Sequence, residues 1–280
     1  MNRYLKLVHM EIHRFRYVMA GLMAVTLLFQ TVPMIFKLSQ EVSFRQEAAL
    51  KGAPVPGTPF FPSGKLSFAW AMFNTQFWFI IPILICIAAL ALYVFLIWYR
   101  DWIGRSTFVY RLLMLPTERR NIYLAKLTAI LVFVFGLLAF QLLLLQLETL
   151  IFNMIVPADM REASPFADAI SANQALPVLL PHNLAQFLMG YGLGVIAVLI
   201  VFTAILIERS YRRIGILYAI LYMVACVAAF LMPLLTLGFE SPFAYLYPGE
   251  IFVIELAVCA IIAAVSIWLG FRLIAKKITV

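Results

Sequence analysis

The chain predicts an all-α membrane protein with six transmembrane helices, on three observations. It is 65% hydrophobic and only 12% charged over 280 residues, with a mean hydropathy of +1.00, and no single soluble core hides that much apolar surface. Six runs reach the roughly 20 apolar residues that a spanning helix needs: about Tyr17 to Phe36, Phe77 to Tyr99, Ile122 to Val156, Leu184 to Ile207, Ile214 to Leu237 and Ile251 to Ile274. Finally, Lys and Arg divide unevenly between alternate connections. Placing the N-terminus inside puts 16 of the 21 in inner segments and leaves Lys37, Arg45, Lys51, Lys65 and Arg161 outside. That asymmetry expects both termini in the cytoplasm, and it makes the net charge of +8 mostly topological. Nucleic-acid binding gains little support from it.

Residues 1–16 come first. Tyr4, Leu5, Val8, Ile12 and Phe15 fall on one helical stripe, with Arg3, Lys6, His9, His13 and Arg16 opposite. This pattern expects an amphipathic interfacial helix that lies along the membrane before the chain turns inward. It lacks the continuous apolar core of a signal peptide. Residues 38–76 are polar and then rich in Pro and Gly, which expects an external loop without a regular core. The third apolar stretch has 35 residues; at about 1.5 Å per residue it exceeds a hydrocarbon core of about 30 Å, so it must tilt, kink or protrude. The loop from Pro157 to Asn183 holds three acids and one basic residue, in keeping with an outside location. Met232 to Glu250 is too apolar for an ordinary loop and too broken by Pro and Gly for a straight span. On the residues alone it reads as an aromatic interfacial turn with Tyr245 and Tyr247 at headgroup depth. No internal repeat is evident, and residues 1–280 read as a single transmembrane domain.

The segment joining spans 2 and 3, residues 100–121, is the most informative. It is short, basic and carries Leu113-Met-Leu-Pro-Thr-Glu-Arg-Arg-Asn-Ile-Tyr-Leu-Ala-Lys126. This run resembles the cytoplasmic coupling loop of ABC-2-type (type V-like) ABC transporter permeases, in which a Leu-Pro-x-x-Arg pattern precedes a lysine at the start of the next span. The resemblance implies a coupling helix from about Phe108 to Leu115. Phe108, Tyr110, Leu112 and Met114 would be its apolar anchors, Pro116 would end it, and Arg105, Arg111, Thr117, Arg119 and Arg120 would complete the surface offered to an ATPase subunit. It also implies that Arg3 and Lys6 of the N-terminal helix contact that subunit, for which a basic lipid anchor is the equal alternative, that re-entrant helices lie between spans 5 and 6 within Met232 to Glu250, and that a second permease chain, identical or not, pairs with this one. Charge alone leaves a plainer reading, in which these arginines only enforce topology.

Other candidates weigh less. No run fits Gly-x-x-x-x-Gly-Lys-Ser/Thr; Ser63-Gly-Lys-Leu-Ser67 has Pro59 where the first Gly belongs. The chain is therefore expected to be a transport subunit and not an enzyme, without a cofactor of its own, ATP and Mg²⁺ being held by the partner. His9 and His13 do not follow the zincin order, because Glu11 is one place late, and Cys86, Cys226 and Cys259 read as buried hydrophobes. Glu148 and Glu255 are ionisable groups within spans, where each costs roughly 2.5–3.5 kcal/mol; near the outer ends of their helices they either line a substrate path, with Gln141 and Gln146 as further candidates and Lys37 a candidate ionic neighbour, or simply reach water. Interhelical hydrogen bonding explains the amides equally well. Gly190-Tyr-Gly-Leu-Gly194 offers a small-residue face for helix packing through Gly190 and Gly194.

The expectation is an exporter of a peptide, antibiotic, lipid or other hydrophobic substrate in a bacterial cytoplasmic membrane, in contact with membrane lipids. A gradient-driven secondary transporter is the first rival, but its usual midplane ion site and inverted repeats are not visible. An intramembrane enzyme is the second, and no catalytic set assembles for it.

Overall fold

The computed structural model describes residues 3–51, 65–102, 118–237 and 247–276. The described chain is helical, in the order α1 (Arg3–Leu50), α2 (Phe68–Asn74), α3 (Gln76–Trp102), α4 (Arg119–Ile155), α5 (Phe166–Ala172), α6 (Leu176–Leu179), α7 (Leu184–Phe187), a π-helical turn (Leu188–Gly192), α8 (Leu193–Ser210), α9 (Arg212–Leu237) and α10 (Pro248–Lys276). Six helical segments are long and apolar enough to cross a membrane, and they coincide with the six expected runs. Their exposed surface is largely Leu, Ile, Val and Phe, as on Leu84, Ile87, Leu92 and Leu143, which only lipid solvates well.

Two expectations are corrected. Residues 1–16 are not a separate helix, because α1 runs unbroken through Arg16, from Arg3 to Leu50, 48 residues in all. The reason lies in its buried stripe: Leu7, Val8, Glu11, Phe15, Leu22, Thr26, Gln30, Met34, Leu38, Val42 and Arg45 recur at helical spacing with no break. The basic face is as expected, with Arg3, Lys6, His9, His13 and Arg16 all exposed. The expectation of a loop without a regular core over 38–76 is corrected in its secondary structure: residues 38–50 are helix and 68–74 form α2. At about 1.5 Å per residue, α1 is about 72 Å long and α4, with 37 residues, about 55 Å. Both exceed a hydrocarbon core of about 30 Å, so each must tilt, kink or protrude. The re-entrant reading falls mainly on residues 238–246 and the coupling helix on 103–117, outside the described residues.

The chain divides into two compact units. One comprises Met1–His13, Leu90–Leu131 and Ala185–Val280. Here α8 packs against α9 and α10, and an aromatic group joins four helices: Tyr123 of α4 meets Phe202 of α8 and Phe271 of α10 edge-on, each at 5.6 Å, while Trp98 of α3 meets Phe202 at 5.5 Å. Gly270 makes room for this, since a Cβ there would come within 3.0 Å of the Tyr123 ring. Leu7 and Val8 of α1 pack on Ile122 and Ala125 of α4.

The other unit comprises Arg14–Ala89 and Val132–Leu184. Its core joins Met34, Leu38 and Val42 of α1 to Leu145 and Phe152 of α4, Phe68, Trp70 and Met72 of α2, and Ala169 and Ile170 of α5. Ser67 starts α2 by accepting the Trp70 N–H at 3.1 Å. Leu66 forms an isolated parallel bridge with Arg161, its N–H donating to Met160 O and its carbonyl accepting from Glu162 N–H, both at 2.8 Å.

Candidate functional site

The N-terminal stretch of α1, the C-terminal end of α3 and the first turns of α4 meet around one buried ammonium. Lys126 is 1% exposed, and its Nζ donates to Glu11 Oε1 at 2.9 Å, to the Ile97 carbonyl at 2.8 Å and to Asp101 Oδ2 at 2.5 Å. All three of its N–H bonds are thereby used. Glu11, 2% exposed, accepts at its other oxygen from Arg100 Nη2 at 2.8 Å. Two carboxylates and two cations thus balance, and the Trp98 ring lies 5.2 Å from the ammonium. Such charge-assisted bonds are strong only when every partner is present.

Local sequence explains the meeting. Ile97 and Asp101 stand four apart on α3, so a backbone carbonyl and a carboxylate face the same side. Glu11 lies on the buried stripe of α1 between Val8 and Phe15, turned away from the exposed imidazoles of His9 and His13. On α4, Lys126 follows the buried Ile122, Tyr123 and Ala125. Tyr4 and Thr128 add a hydroxyl pair at 2.6 Å between α1 and α4.

Two further contacts hold the helix ends that border residues 103–117. The Tyr99 hydroxyl on α3 donates to Glu208 Oε2 on α8, while the Arg209 guanidinium stacks at 5.0 Å over Tyr99 and 5.6 Å over Trp102. The turn after α8 is tight: a Cβ on Gly215 would lie 2.3 Å from the Glu208 carbonyl oxygen, so only glycine fits. At the start of α4, Arg119 Nη1 donates to the Ile274 and Ala275 carbonyls at 3.4 Å each, satisfying the end of α10. Arg120, exposed, stacks 5.7 Å over Phe271. Both helix ends that border residues 103–117 are therefore anchored within this unit.

The structure spreads the sequence-predicted residues over several environments. Arg105, Phe108, Tyr110, Arg111, Leu115, Pro116 and Thr117 lie outside the described residues; Arg3, Lys6 and Arg120 are exposed, and Arg119 is half-buried against α10. Gln141 does not stand free: it exchanges two hydrogen bonds with Gln30, at 3.2 and 3.0 Å, both side chains buried. Gln146 is exposed on another face of α4, so it does not join Gln141 and Glu148 in one lining. Glu148 and Glu255 are both buried, and no oxygen of either has a hydrogen-bond partner among the described residues. Lys37 is exposed and forms no ion pair with them among the described residues. A Cβ at Gly190 or Gly194 would meet nothing within 4 Å, so their small-residue face packs on no described part of this chain.

Sequence reasoning missed Glu11 and Asp101. A signal was present: Glu11 is the first acid of the chain and has none within 29 residues after it, and Asp101 is isolated between Glu47 and Glu118. A lone acid in a basic, apolar stretch points to a buried cation. In comparisons with known proteins, no family model, no curated protein and no solved structure matches this chain.

Proposed function

We propose that this chain is the membrane-spanning permease subunit of an ATP-driven transporter of the ABC-2 type. It sits in the cytoplasmic membrane of a bacterium with both termini inside, and it works with a separate ATP-binding subunit and a second permease chain. Export of a peptide, antibiotic, lipid or other hydrophobic compound is the activity in view. The observation that carries the reading is the charge cluster at the base of the inner segment. Residues 103–117 enter from α3 beside Asp101 and leave into α4 ahead of Lys126, and Glu11 of α1 is bonded to both ends through Arg100 and Lys126. A push on that segment by a motor protein would move α1, α3 and α4 together and would not merely bend a loop. The resemblance of Leu113 to Lys126 to the coupling loop supports the same mechanics, as do the six apolar helices and the exposed Arg3, Lys6 and Arg120.

Purification of the tagged chain from its native host in mild detergent should bring down an ATPase subunit whose hydrolysis depends on the permease. Because Arg119 caps α10, the informative variant is Arg111→Glu with Arg120→Glu. It should insert normally yet lose the partner or its stimulated hydrolysis. A variant complex that assembles and hydrolyses like wild type would refute the assigned contact.

A further inference from the structure

Glu148 is one of two buried carboxyls, with Glu255, that the proposed mechanism leaves unused. It lies on the buried face of α4, two turns beyond Gln141 and between Leu145 and Phe152, which belong to the apolar core shared with α1. The residue is 0% exposed and neither carboxyl oxygen has a hydrogen-bond partner among the described residues. The described elements sharing that core offer no counter-charge. On α1, Lys37 is exposed and Arg45 is bonded to Glu41 at 2.8 Å; Lys65 and Asp168 are exposed; α2 and α6 carry no charged residue. Cys86 of α3 is engaged with Thr26 at 3.6 Å. Among the described residues no three His, Cys, Asp or Glu side chains gather around a common point that would hold a metal.

An ionised carboxylate without water, counter-ion or donor is far less favourable in such surroundings than the same group carrying a proton.

We propose that Glu148 is a proton-binding site, occupied while α1 and α4 are closed over it and emptied when they part. Opening begins at the Gln30–Gln141 pair, the interhelical hydrogen-bond pair two turns away on the same two helices. Water admitted from the side on which α1 reaches Leu50 then takes the proton: the carboxyl O–H bond breaks, its electron pair stays on the carboxylate, and hydronium forms. No redox change occurs. Reclosure requires reprotonation, so the site makes the transport cycle sensitive to pH on that side. Binding of the proton stands on the geometry alone; its release within a cycle rests on the transporter reading.

The two steps are tested separately on the full chain in lipid vesicles. Infrared spectra should contain the carbonyl stretch of a protonated carboxylic acid that Glu148→Gln lacks. Dicyclohexylcarbodiimide, to whose C=N bond a protonated carboxyl adds to give a stable acylurea, should label Glu148 of the unaltered protein, located by peptide mass spectrometry; this arm needs no variant to fold. Absence of both signals overturns proton binding. For release, the complex with its co-purified ATPase is assayed at several external pH values. Its hydrolysis should change with pH, by up to about tenfold per unit for a single proton, and Glu148→Gln should flatten the profile. A variant profile that tracks wild type overturns release while leaving the transporter reading intact. Failure to recover any ATPase partner counts against the transporter reading, and the infrared and labelling results still decide the binding step.

Discussion

Replacing Lys126 by Met is the most direct perturbation of the charge cluster. The methionine fills nearly the same space but removes three donated bonds, to Glu11, Ile97 and Asp101. Glu11 keeps Arg100 at its second oxygen, whereas Asp101, 2% exposed, loses the cation bonded to it. Breaking a buried pair from one side costs about 3–5 kcal/mol, because the charge that remains has lost its counter-ion. Adding Asp101→Asn removes that charge and leaves the Glu11–Arg100 pair neutral. The double variant should therefore recover part of the loss, with a coupling energy of about 0.5–3 kcal/mol. Unfolding free energy measured in lipid bicelles for wild type, both single variants and the double variant closes the cycle. Additive costs, or a Lys126→Met loss under about 1 kcal/mol, the size of a surface pair, would show that the four groups do not act as one unit. The idea that they transmit force to α1 would then fail.

Two further substitutions test the packing. Gly215→Ala should destabilise by about 1–3 kcal/mol, as overpacking does, because its Cβ would meet the Glu208 backbone; Gly194→Ala, with open space around it, should gain about 0.5–1 kcal/mol from helix propensity, and equal thermal shifts for the two would contradict the turn geometry. Gln141→Leu should strand the Gln30 amide and lower stability by about 0.6 kcal/mol and at most about 1.7, the mean and maximum measured for hydrogen bonds between membrane helices, while Gln30→Leu with Gln141→Leu should regain most of it; a double variant worse than the single one would refute the pairing.

The spans were legible because a hydrocarbon core demands long apolar runs, and runs such as Phe77 to Tyr99 have no other stable use. Their ends were less so. Residues 39–41, Ser-Gln-Glu, read as the start of a loop, yet Leu38, Val42 and Arg45 continue the stripe of α1 against α2, α4 and α5. That apolar core is built from Phe68, Trp70 and Met72 on a helix of only 7 residues. A helix that short leaves no dependable periodic signal, and its neighbours, α5 and α6, are separated from it by two spans, α3 and α4.

The candidate site shows a sharper limit. Lys126 could be singled out from a local motif, since its surroundings in sequence are distinctive. Its partners could not, because Glu11 reaches Arg100 and Lys126 across separations of 89 and 115 residues. Three glutamates show the consequence. Glu41 bonds to Arg45 one turn away, a pairing that spacing alone suggests. Glu11 is satisfied by two cations brought from other helices, and Glu148, on an equally apolar face, is satisfied by none among the described residues. In the sequence Glu11 and Glu148 are each a single acid within an apolar stripe. Only helix register separates them: Glu11 is level with the helix ends where basic residues collect, while Glu148 is level with Leu145, Phe152 and an apolar stretch of α1. Charge in this protein is therefore assigned by depth along the helices, and the same residue type becomes a structural tie at one level and a proton site at another.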